Sequence, residues 1–169
     1  LKDSQDTMQT TLRKEASDNK TASEKQVQDL RKTTMDLLEA HQYLRNEHHQ
    51  QAYAAAQRVL GRDKNNPEAL YISGWLKMQY VKTATLEDGI AELKRAEKIA
   101  KDRPAISAAL GVLTRRKASK EQDPKLRGDL VHEAQELLHG ALKGNDGLLD
   151  LSGESLYGPL AGLHRDEEN

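Results

Sequence analysis

NNPEALYISGWLKMQY at 65–80 and, after a short polar break, LEDGIAELKRAEKIAKDRP at 86–104 decide how this chain folds. Both segments place apolar residues at helical spacing. Each stands against a proline suited to the first turn of a helix, where the missing N–H costs nothing. Pro67 opens the first segment and Pro104 opens the next unit, 37 residues later.

Working outward, residues 1–20 are polar, with only Met8, Leu12 and Ala16 marking one helical face, as in a solvent-exposed or fraying arm. Thr21-Ala-Ser-Glu24 reads as a capping box that starts a helix. Val27, Leu30, Thr34, Leu37, His41 and Leu44 then alternate at spacings of three and four. That pattern suits a short coiled-coil seam or the packing face of the first paired helix. After the polar break Arg45–His49, a second helix runs through Ala52, Tyr53, Ala55, Ala56, Val59 and Leu60, with Gly61 as its stop.

Further helices are expected over 67–80, 86–101 and 104–117. The charged stretch 117–128, with Asp123-Pro124, reads as an extended loop. Asp129 then caps a helix carrying Leu130, Ala134, Leu137, Leu138, Ala141 and Leu142, stopped by Gly144-Asn-Asp-Gly147. The tail from Leu148 to Leu163 has enough leucine to dock as a broken final helix, and residues 166–169 should fray.

Composition narrows the function. A net charge of −1 over 169 residues gives no field toward nucleic acid or an anionic membrane. With no Phe and 4% aromatics, a core of Leu, Ala, Ile and Val favours close-packed helices. No Cys means no disulfide, thiol chemistry or thiolate metal site. No run approaches the roughly 20 apolar residues that span a bilayer. The start at Leu1 rather than Met reads as a piece of a longer chain, with room for a signal or membrane anchor upstream. The expected setting is the cytoplasm or a soluble domain of an anchored protein.

The repeated pattern resembles the tetratricopeptide (TPR) family, whose repeats are about 34 residues long. Counting Pro67 as the first position puts Leu70, Gly74, Leu93 and Ala96 on family positions. The first repeat, 33–66, supplies Ala40, Tyr43, Ala52, Ala56 and Val59; the third, from Pro104, supplies Leu110, Gly111, Ala134, Leu138 and Ala141. Ser73, Lys77 and Gly89 depart from the pattern, and the middle repeat carries three extra residues near Val81–Thr85. The third carries about eleven extra between its helices.

The resemblance implies an all-α chain: a right-handed α-solenoid of TPR-like pairs (33–66, 67–103, 104–145), an N-terminal helical arm (1–32) and a C-terminal capping segment (146–169). It also implies a concave groove lined by the first helix of each repeat. The groove positions are Thr34, Leu37, His41, Leu44 and Arg45; then Glu68, Tyr71, Trp75, Met78 and Gln79; then Ala105, Ala108, Val112, Arg115 and Arg116. An apolar centre of Tyr71, Trp75 and Met78 between arginines has the make-up of a binding hot spot. The expected ligand is a protein or peptide segment with apolar anchors and acidic flanks. Trp75 packed under a neighbouring helix is the competing reading. The family's carboxylate clamp is not expected, because Leu37, His41, Ile72, Ala105 and Ala109 occupy its positions.

No motif carries catalysis: there is no phosphate loop, nucleophile elbow or zinc-protease helix. His132, Glu136 and His139 share a helical face that reads as solvated, so no metal or cofactor is expected. Arg115-Arg-Lys117 with Lys120 suits a helix C-terminus, and nucleic acid is not expected. The sequence therefore points to a non-catalytic interaction module, or to an oligomerisation module whose arm pairs between chains.

Overall fold

A computed structural model describes residues 2–80, 84–143 and 159; the side chains of residues 2–7, 9, 10, 12 and 78–80 lie outside that description. Every regular element among the described residues is an α-helix. The six are α1 (Lys2–Arg45), α2 (His49–Arg62), α3 (Pro67–Tyr80), α4 (Leu86–Ile99), α5 (Pro104–Ala118) and α6 (Pro124–Leu142). The expected stop at 144–147, the docking tail and the frayed end fall outside the described residues. The chain divides into two compact units, Leu1–Met35 and Asp36–Asn169.

The first unit is the N-terminal part of α1. No side chain from 13 to 35 is buried, and Val27 and Leu30 are 48% and 68% exposed. Thr21 does not begin a helix. It lies inside α1, where its hydroxyl donates to the Ser17 carbonyl at 3.0 Å. A mid-helix threonine can satisfy its hydroxyl one turn back, so the Thr-x-x-Glu spacing alone does not mark a start.

The second unit begins with the last ten residues of α1, which end in a Schellman turn. The His48 N–H donates to the Tyr43 carbonyl (2.8 Å) and the Glu47 N–H to the Leu44 carbonyl (3.1 Å). Closing it puts Glu47 at φ 59°, a left-handed conformation that glycine would occupy more cheaply. The Tyr43 and His48 rings, 6.1 Å apart, cover the turn. α2 does not stop at Gly61 but runs to Arg62, and the Asp63 N–H donates to Val59.

The other starts follow their caps. Asn66 Oδ1 accepts from the Ala69 N–H (3.1 Å) ahead of α3. Thr85 and Asp88 form a reciprocal capping box at α4. Asp123 Oδ1 accepts from the Lys125 and Leu126 N–H groups, with Pro124 in the first turn of α6. The expected loop over 117–128 therefore shrinks to the few residues between α5 and α6. Asp-Pro here is an N-cap followed by a first-turn proline, and Asp129 sits inside the helix.

Successive helices from α2 to α6 pack on one another, and α3 also meets α5. Ala69 through Leu76 of α3 are buried without a break, so this helix has no solvent face over two turns. Fully burying a Leu or Ile there stabilises the fold by about 1.5–3 kcal/mol. Two crossings are set by glycine. A Cβ on Gly74 would lie 2.9 Å from the Gly89 carbonyl oxygen, and one on Gly89 would lie 2.7 Å from that of Gly74. A Cβ on Gly111 would meet Leu138 Cγ at 2.9 Å and the Ala134 carbonyl oxygen at 3.2 Å. In the first pair the matching residues, Ala40 and Ala52, are wholly buried. Leu93, Ala96, Ala56, Val59, Leu138 and Ala141 are likewise in the core.

Polar links tie the outside of α1 to α2. Asp36 accepts from Arg58 Nε at 2.8 Å and from Arg62, while Glu39 accepts from Arg58 and from the Tyr43 hydroxyl. Burial raises the Asp36 pKa, but the two arginines outweigh it and hold the carboxyl below its ordinary range.

Candidate functional site

The expected groove residues meet different fates. Tyr71 and Trp75 are 4% and 5% exposed and belong to the main core. Two of the three residues of the apolar centre expected to face a ligand are therefore interior, which is the competing reading of Trp75. The reason is geometric: α3 touches α2, α4 and α5, leaving its middle turns no open side. Ala108 and Leu44 are buried as well. Leu37 is half-buried against the main core, and Val112 is half-buried against both this cluster and the one that α6 forms with the end of α5. Arg45 is exposed, while His41, Arg115 and Arg116 are half-buried. The side chains of Met78 and Gln79 fall outside the described residues.

Around this core lie two polar constellations. In the first, Glu68 at the start of α3 accepts from His41 Nε2 of α1 at 3.0 Å and from the Arg103 guanidinium just ahead of α5. One carboxylate thus joins α1, α3 and the turn ahead of α5. Its side chain is only 14% exposed. Burial pushes its pKa up, yet the bonds from His41 and Arg103 prevail and hold it below the usual 4.5. His41 and Glu68 were both expected in the groove; Arg103 was not singled out.

The second constellation explains two departures from the repeat pattern. Gln57 Nε2 donates to Ser73 Oγ (2.8 Å), Ser73 donates to one Glu92 oxygen, and Lys77 Nζ donates to the other at 2.7 Å. The polar residues of α3 thus share a partner on α4, and every member of the chain is hydrogen-bonded. Burial lowers the Lys77 pKa, but Glu92 outweighs that and holds the ammonium above its ordinary value. Ser73 has no solvent access, so this serine–lysine–glutamate grouping offers no route for a substrate. The signal in the sequence was the pair of polar residues four apart on an otherwise apolar helix.

On α6, His132 Nε2 stands 3.5 Å from Glu136, both mostly exposed. Among the described residues no group of three or more His, Asp or Glu converges in a way that could hold a metal ion. No helix among them is long and apolar enough to cross a membrane. A scan against protein-family models, a search of curated proteins and a search of solved structures each returned no match.

Proposed function

We propose that this chain is a non-catalytic interaction module built of TPR-like helix pairs, which holds a segment of another protein along the first helices of its repeats. The observation that carries the reading is the repeated crossing. Gly74 backs onto Gly89 and Gly111 onto Ala134. These are corresponding places in two successive pairs once the extra residues are allowed for. A pair of helices that buries apolar residues on two sides needs neighbours, and stacking supplies them. With Tyr71 and Trp75 in the core, the binding face rests on Leu37, His41, Arg45, Val112, Arg115 and Arg116, two apolar side chains with three arginines and a histidine. A segment with apolar anchors and acidic flanks matches it.

Photo-crosslinking tests this reading. A benzophenone amino acid at His41 or Val112 should capture a protein from source lysate, whereas the same group at the exposed Lys98 should not. Capture from position 98 alone would sink the groove.

A second reading, in which the arm over 1–32 pairs between chains, is favoured by the exposure of Val27 and Leu30. It expects a concentration-dependent mass in sedimentation that disappears when residues 1–26 are deleted. A constant monomer mass would remove it.

A further inference from the structure

Residues 115–127, from the last turn of α5 through the first turn of α6, hold six Lys or Arg against two Asp or Glu in a chain whose net charge is −1. The cations are Arg115, Arg116, Lys117, Lys120, Lys125 and Arg127. Lys117 lies 3.7 Å from Glu87. Arg116, Lys120, Lys125 and Arg127 form no ion pair among the described residues. The two acids of the corner are engaged with backbone. Glu121 Oε1 accepts from the Gln122 and Asp123 N–H groups at 2.9 and 3.0 Å, and Asp123 caps α6. Leu126, between Lys125 and Arg127 in the sequence, is 45% exposed.

Helix stability does not account for this arrangement. Arginine and lysine at the end of α5 suit its dipole, but Lys125 and Arg127 sit at the opposite kind of end. There a cation faces the positive pole, and the N-cap Asp123 is the one carboxylate placed against that pole, the first turn of α6 itself containing no acidic residue.

We infer that the α5–α6 corner is a docking surface for an acidic protein segment that carries an apolar anchor. Carboxylates of the segment would pair with Arg116, Lys120, Lys125 and Arg127, and its anchor would cover Leu126. The surface shares Arg116 with the groove face, but Lys120, Lys125, Leu126 and Arg127 lie outside that face and need no repeat register. Protein is favoured over nucleic acid because the corner has no aromatic side chain for a base to stack on, and the chain as a whole supplies no attractive field. It is favoured over a membrane because a single exposed leucine is too little apolar surface for interfacial binding.

The test uses the full chain and a fluorescein-labelled twelve-residue peptide of Asp and Glu with a central leucine, read by anisotropy. Three labelled or titrated controls accompany it: the Asn/Gln version of the peptide, a duplex DNA of similar charge, and phosphatidylserine vesicles. Binding of the acidic peptide should weaken with salt, and Lys125→Glu with Arg127→Glu should weaken it by about tenfold or more. The same pair should raise the melting temperature, because acids replace cations at the start of α6. That opposite movement separates lost recognition from lost folding. Lys98→Glu with Lys101→Glu, exposed lysines away from the corner, should leave binding unchanged. The inference is overturned if no acidic peptide binds, if the two pairs of reversals act equally, or if DNA or vesicles bind more tightly than the peptide.

Discussion

α3 and the first 35 residues of α1 are both regular helix, and nothing else about them is alike. From Ala69 to Leu76 every residue of α3 is buried, whereas from 13 to 35 in α1 none is. The shorter helix is held by its neighbours: caps at Asn66, a glycine crossing and a core on all sides. The described part of the exposed segment rests on its backbone ladder, its side-chain propensity and local bonds such as Thr21 to Ser17, each worth tenths of a kcal/mol per residue. Secondary structure alone therefore says little about where the stability of this chain resides.

The comparison breaks first at Trp75. Replacing it with Ala should cost about 3–5 kcal/mol in urea unfolding, and a cost under about 1 kcal/mol would mean the side chain is not core. Next comes the glycine crossing. Gly89→Ala forces a Cβ against the Gly74 carbonyl and should destabilise by about 1–3 kcal/mol. Gly61→Ala and Gly128→Ala meet nothing within 4 Å and should instead stabilise by about 0.5–1 kcal/mol. The same sign at all three positions would undo the crossing.

Glu68→Gln, which removes a charge from the His41–Glu68–Arg103 bridge, should cost about 1 kcal/mol at neutral pH, since both partners are partly solvated. The folded carboxyl titrates below its unfolded value of 4.5. Its contribution is therefore present above that value and lost as pH falls through the lowered one. Acid titration of stability should be shallower in the Gln variant; parallel curves would exclude the bridge.

Glu47→Gly should stabilise by about 0.5–1 kcal/mol by relieving the left-handed turn, seen as a raised melting temperature. Smallest of all, Leu30→Ala should change the unfolding free energy by less than about 0.5 kcal/mol. A larger loss, growing with protein concentration, would show that the arm is packed against another copy.

What was legible in the sequence follows the range of the interaction that decides it. Pro67 and Pro104 act on their own turns, and both open helices where expected. Local signals failed where one motif serves two structures. Asp123-Pro124 is a loop signal and also a helix start, Gly61 is a stop that an exposed helix tolerates, and Thr21 bonds back inside α1. Thr85-Leu-Glu-Asp88 was readable as a capping box and passed unremarked.

Whether Trp75 faces the groove or packs under a neighbouring helix was left open by the sequence, and the burial of Tyr71 was not legible. A helix apolar on most sides does not reveal which side faces a neighbour until all the neighbours are placed. The same holds for Ser73, Lys77 and Glu92, whose pairing joins residues up to 19 apart through tertiary packing.

Trp75 is the only tryptophan in the chain, and no tyrosine or phenylalanine occurs before Tyr43. With its indole in an apolar interior, emission from the folded protein lies toward the blue and shifts red when water reaches the ring. The chain thus carries an intrinsic optical reporter that follows its core. Fluorescence and far-ultraviolet dichroism need not superimpose on heating, and the gap between the two curves would measure how much helix is lost before the core opens.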